Sequence, residues 1–184
     1  MPLDIAFGIF LAMLASKFFH RELGAFLISI CILFTLFPDF DFMVEWALHG
    51  SVGGKVIREH REISHFPLTF IPVVFAVWLA AGGFWAIIFG CGILFHFLHD
   101  SMGIGWGIKW WWPFSRKAFK FFSEKDGSFS RRFLISWNDT ELQEVARNAG
   151  DPDWIKNIYL KFHPISFREY LSLAAAIVAL IFWH

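Results

Sequence analysis

The sequence predicts an all-α fold: a membrane helical bundle of about four to five hydrophobic helices with a polar, interfacial helical region. Three observations carry that expectation. Apolar residues make up 57% of the 184 residues, and mean hydropathy is +0.52. Soluble domains of this size are about 45–50% apolar, so the excess calls for an apolar solvent. The chain holds ten Trp and 25 Phe, residue types that suit lipid and its interfaces. Its apolar residues also fall into five runs separated by helix breakers and charge. The competing reading is a soluble domain with an unusually apolar core.

The first run covers residues 5–19 and ends at Lys17, His20, Arg21 and Glu22. The second covers 23–37 and stops at Pro38, which lacks the N–H a helix interior needs. A polar connection, 39–64, follows. The third run starts near Phe66 and ends at Gly82-Gly83; the fourth covers 84–98. The fifth covers 167–183, and Ser166 with Glu169 just after Pro164 reads as a capping box. Each run is about 15–17 residues, short of the roughly 20 of a full span, so tilted or partly inserted hairpins are expected.

Residues 101–165 carry most of the charge and read as a compact helical subdomain lying against the membrane. Lys109-Trp110-Trp111-Trp112-Pro113-Phe114 is a basic-aromatic stretch of interfacial type. A helix is expected from Thr140 to Asn148, closed by Gly150. Another is expected from Asp151-Pro152, as N-cap and first helical position, through Phe162. The division is 1–116 as a membrane-embedded core and 117–184 as interfacial helices plus a C-terminal apolar helix, within one structural domain. The apolar N-terminus carries Asp4 and lacks a basic leader region, so it reads as a retained helix. Net charge is zero, and no basic run suggests nucleic acid as a partner. Cys31 and Cys91 lack metal or redox spacing and read as small apolar residues.

Up-down alternation of the first four runs collects the ionisable groups at one end. Asp4 begins the first run, Asp39 and Asp41 follow the second, His60 and His65 precede the third, and His96, His99 and Asp100 end the fourth. The same side carries Lys55, Arg58, Arg61 and the ten lysines and arginines from Lys109 to Lys161. The positive-inside rule then puts this face in the cytoplasm, at the inner membrane of a multi-pass protein.

His96 and Asp100 lie four apart, on one helical face, with His99 beside them. Imidazole and carboxylate can bind one divalent ion; the alternative is an interfacial His pair bonded to carbonyls. Pro38-Asp39-Phe40-Asp41 brings two carboxylates to a helix exit, where a turn can aim both at one centre or form an Asx-turn. His60 and His65, five apart, need a turn to converge, which Phe66-Pro67 supports; Arg61 between them suits an anionic group. A charged loop is the alternative there.

Together these motifs resemble the YdjM-type family of inner-membrane-associated metal-dependent hydrolases, also described as LexA-binding. The resemblance rests on Phe37-Pro38-Asp39-Phe40-Asp41, on His60-Arg61-Glu62-Ile63-Ser64-His65, and on Gly92 to Asp100 followed by Trp112-Pro113-Phe114. In the family these look like Pro-Asp-x-Asp, His-Arg-Gly-x-Thr-His, and a His-x-x-x-Asp helix leading to Trp-Pro. The family in turn resembles zinc-dependent phospholipase C. The resemblance implies a divalent metal, Zn foremost with Mn or Mg as alternatives. It implies Asp39, Asp41, His65, His96 and Asp100 as ligands, with His60 close behind. Asp4 stands where the family has a Thr-His pair and remains a candidate ligand. His99 falls outside the motif and is read as a ligand or as an orienting group. Glu62 and Ser64 replace Gly and Thr of the family pattern.

The implied activity is metal-dependent hydrolysis of a phosphoester or lipid-like substrate at the membrane. Asp39 or Asp41 would bridge metals or act as base, and Arg61 would hold phosphate. The alternative is a membrane-anchored binding or regulatory protein with a structural or vestigial metal. An ion transporter is a weaker third reading, because its ligands belong at mid-membrane and these fall at helix ends.

Overall fold

The structure, a computed structural model, describes residues 1–41, 44, 47, 64–124, 129–151 and 153–183. The described chain is mostly helical. It comprises α1 (Pro2–Phe19), α2 (Ala25–Leu36), α3 (Phe70–Ala81), α4 (Gly83–Met102), β1 (Ala118–Ser123), β2 (Phe129–Trp137), α5 (Asp139–Ala149) and α6 (Pro164–Ile181). Single 3-10 turns at Phe37–Asp39 and Pro67–Thr69 end α2 and lead into α3.

Helices α1, α4 and α6 are long and apolar enough to cross a membrane, while the segments Ala25–Asp39 and Pro67–Ala81 are apolar but shorter. At about 1.5 Å per residue the 12 residues of α2 reach only about 18 Å, against a hydrocarbon core of about 30 Å. Large apolar side chains stand exposed along the helices, among them Phe26, Phe75, Leu79, Leu171 and Ile181. Such faces fit lipid rather than water.

The described residues form two compact units. The first comprises Met1–Phe37, Phe70–His96 and Pro164–His184. In it α1 packs against both α2 and α6. The α1–α2 core is Leu11, Ala12, Ala15, Leu27 and Cys31, joined by Ile88 of α4; Ala6, Ile9 and Met13 pack on Ala176 of α6. Small residues permit the approach, as is usual where helices meet in lipid. A Cβ on Gly8 would lie 2.6 Å from the Ile32 Cα, and one on Gly92 would lie 3.2 Å from the Phe34 carbonyl carbon and the Thr35 nitrogen. Gly82, at φ +87, makes the left-handed turn between α3 and α4 that glycine adopts without a Cβ clash.

The second unit comprises Pro38–Thr69 and Phe97–His163, and here the structure departs from an all-helical expectation. Strands β1 and β2 pair antiparallel, with Ala118 opposite Trp137, Phe121 opposite Leu134 and Ser123 opposite Phe129. Ile108 extends the ladder by exchanging two backbone hydrogen bonds with Phe119. The hairpin forms because its strands are rich in Phe, joined by Ile135 and Trp137, residues that favour a pleated surface. Gly107 (φ +79) makes the chain reversal before Ile108. Lys120 is fully buried, and its ammonium donates to the carbonyls of Gly103 and Gly105 just beyond α4. A cation at a helix C-terminus meets carbonyls that the helix itself leaves unpaired.

The helix expected over 140–148 is α5. Asn138 caps it with a reciprocal box: its side chain accepts from the Glu141 N–H at 2.9 Å, and the Glu141 carboxylate accepts from the Asn138 N–H at 2.8 Å. Asn138→Ala should cost about 1 kcal/mol and lower the melting temperature by roughly 2–4 °C, read by circular dichroism in detergent. The helix expected from Asp151 through Phe162 is a single wide turn, Ile155–Tyr159; Pro152 lies outside the described residues. Asp151 accepts hydrogen bonds from the Asn157 amide (2.7 Å) and the Asp153 N–H (2.9 Å). These hold its carboxyl below the usual range, the Asn157 bond contributing most. Helix α6 begins at Pro164, two residues before the Ser166 of the expected capping box, because a proline's fixed φ suits a first turn.

Candidate metal centre

Helix α4 supplies His96 and Asp100, one turn apart on one face. His96 is 1% exposed. Its Nδ1 lies 2.9 Å from the Thr35 carbonyl oxygen and 3.4 Å from Asp4 Oδ1. A carbonyl only accepts, so Nδ1 carries the hydrogen and Nε2 carries the lone pair of the neutral ring. Thr35 is itself fixed: its hydroxyl lies 2.9 Å from the Asp4 carbonyl oxygen and 2.8 Å from that of Ile32. Asp4, fully buried in the first turn of α1, thus stands behind His96, at the nitrogen that holds the proton.

In the second unit His65 follows the same rule. It is 1% exposed, and its Nδ1 lies 2.8 Å from Ser64 Oγ. The Ser64 hydroxyl donates its only proton to Asp41 Oδ2. Nδ1 of His65 must therefore donate to Ser64, which leaves the lone pair on Nε2. That Nε2 lies 3.6 Å from Asp39 Oδ1 and 3.5 Å from Asp100 Oδ2. The ring of Phe97 meets the imidazole edge-on, at 6.2 Å between centroids.

Metal–ligand bonds of about 2.0–2.2 Å in tetrahedral array put neighbouring ligand atoms roughly 3.3–3.6 Å apart. The His65 distances to Asp39 and Asp100 fall in that range. Two carboxylate oxygens facing an unprotonated nitrogen at this spacing form a donor set suited to a divalent ion. Carbonyl or hydroxyl support at the other ring nitrogen is the usual way to orient a ligating imidazole. The residues present therefore fit a metal.

Of the candidates read from the sequence, Asp39, Asp41, His65 and Asp100 are brought together in the second unit, and Asp4 and His96 meet in the first. Asp41 sits one bond further out, through Ser64. His99 lies in the last turn of α4. His60 and Arg61 lie outside the described residues. Thr35 and Ser64 are the functional groups that sequence reasoning passed over as orienting residues. A hydroxyl in an apolar helix four residues before Asp39 was the available signal for Thr35.

The sequence pattern of the YdjM inner membrane protein family matches residues 4–183. The chain belongs to this family. The match runs past the three sequence motifs and takes in the hairpin, α5 and α6, so these too are parts of the family's chain. No curated protein matches the sequence, and no solved structure does either. An inner-membrane location accords with the family and with the three helices long enough to span.

Proposed function

We propose that this YdjM-family chain is a metal-dependent hydrolase acting on a phosphoester, in a lipid or lipid-like substrate, at the cytoplasmic face of the inner membrane. The observation that carries the reading is buried His65, whose Nδ1 is tied to the Ser64 oxygen. Its Nε2 lone pair is thereby left for a cation, with the carboxylates of Asp39 and Asp100 at ligand spacing around it. The exposure of the site favours chemistry over a sealed structural ion. The imidazole of His65 is 1% exposed, whereas the side chains of Asp39, Asp41 and Asp100 keep 19%, 18% and 15%. Solvent and substrate reach the carboxylate side.

A divalent ion, Zn foremost, would supply Lewis acidity there, polarising a phosphoryl group and acidifying water. The chain's own residues would do the rest. Asp39 and Asp100 balance the cation's charge. Asp41, partly exposed and bonded to Ser64, is placed to accept a proton. Arg61 is proposed to bind the phosphate. The excess of Lys and Arg on the ligand-bearing side supports the cytoplasmic orientation.

The test is elemental analysis of detergent-purified wild type alongside hydrolysis of bis-p-nitrophenyl phosphate and a short-chain phospholipid. The expected result is Zn or Mn in stoichiometric amount. A chelator should remove metal and hydrolysis together, and readdition should restore both. A folded wild type that purifies and stays metal-free under Zn or Mn would overturn the proposal. Bound metal without hydrolysis of any phosphoester would favour the binding or regulatory alternative.

A further inference from the structure

The β1–β2 hairpin presents a face that the fold does not use. Along β2, alternation puts Phe129, Arg131 and Phe133 on one side, and all three are exposed, Phe129 by 81% and Phe133 by 62%. Across the ladder the pairing slips between Phe121 and Ser123. Phe122 there holds φ +53, a conformation a bulky residue seldom adopts. Its ring meets that of Phe133 edge-on, with centroids 4.8 Å apart. A bulge commonly serves to re-aim a side chain, and here it sets a second exposed aromatic beside Phe133.

Charge completes the face. The Arg131 guanidinium, on the same side, has no ion-pair partner among the described residues, and a guanidinium matches a phosphate with two parallel donors. Connectivity names the phosphate's source. The hairpin lies between α4, which ends at Met102, and α6, which begins at Pro164, and both helices are long and apolar enough to cross a membrane. Among the described residues between them no helix has that character. The hairpin is thus tethered at both ends to one bilayer surface. Aromatic rings settle at the headgroup level of such a surface, and its anionic lipids attract nearby basic residues.

We propose that the β1–β2 hairpin is a membrane-surface element that seats Phe129 and Phe133 at the acyl boundary of an anionic bilayer and sets Arg131 on lipid phosphates. This inference stands independently of the metal.

The test uses the full chain in nanodiscs. A spin label is placed by Phe133→Cys, with Cys91→Ser removing the exposed native thiol. Collision with oxygen, which concentrates in lipid, is compared with collision with a water-soluble nickel chelate. In discs containing phosphatidylglycerol the label should favour oxygen several-fold. The preference should collapse in pure phosphatidylcholine, and also with Arg131→Gln. A label at Phe129→Cys should behave alike, which guards against a local defect at 133. Equal exposure to the nickel chelate in both lipid compositions would overturn the proposal. So would protection from both reagents, which would mean that protein covers the face.

Discussion

His65→Ala is expected to empty the metal centre. Removing one of about four ligands forfeits roughly a quarter of an apparent binding free energy of about 10–16 kcal/mol, so affinity should fall by about two orders of magnitude or more. Metal content after dialysis against a weak chelator reads this directly. The variant also leaves a gap where a buried imidazole packed against Phe97, so a folding defect must be told apart from ligand loss. Ser64→Ala does so. It keeps the ligating ring and removes the oxygen that receives its Nδ1 hydrogen, and loss of such an orienting partner costs about 10–100-fold in affinity. Graded loss, Ser64→Ala weaker than wild type and His65→Ala weaker again, is the expected pattern. If both variants held metal as tightly as wild type, His65 would not be a ligand.

Gly107→Ala is expected to be the most damaging small substitution in the second unit. The backbone at 107 sits at φ +79, and an added Cβ would lie 2.2 Å from the Phe119 carbonyl oxygen and 2.7 Å from the Lys120 Cγ. The left-handed conformation alone costs a non-glycine residue about 1–2 kcal/mol. Forcing the neighbour away adds about 1–3 kcal/mol. That neighbour cannot yield freely, because the same carbonyl accepts from the Ile108 N–H at 3.0 Å and Lys120 is anchored to Gly103 and Gly105. The sum, about 2–5 kcal/mol, should lower the melting temperature by roughly 5–15 °C. Gly83→Ala is the control, since its Cβ would only touch Trp78 at 3.8 Å in a helix that alanine favours. An unchanged melting curve for Gly107→Ala would contradict the close approach.

The helices were legible because their boundaries are chemical. Pro38 and Gly82-Gly83 cut the apolar runs where the structure cuts them, and alternation then predicted which ends carry Asp39, His65 and Asp100. The hairpin was hidden by the richness in charge of 101–165, which reads as solvated helix. Its signal was the Phe-rich alternation of 118–123 and 129–137. Lys120, counted only among the basic residues of the ligand-bearing side, is buried, held by carbonyls fifteen and seventeen residues earlier. Asp4 was read as a candidate ligand, but sequence could not tell a carboxylate facing a cation from one facing the ring nitrogen of His96. Thr35 and Ser64 were passed over because a hydroxyl's role depends on partners that are distant in sequence, as Asp4 is from Thr35.

Because His96 and Asp100 ride on the same continuous helix, the direction of each side chain is set by the phase of that helix. A single residue gained or lost between them would swing Asp100 about 100° around the axis. Descendants of this gene can therefore exchange side chains along α4 far more readily than they can change the number of residues it contains between those two positions.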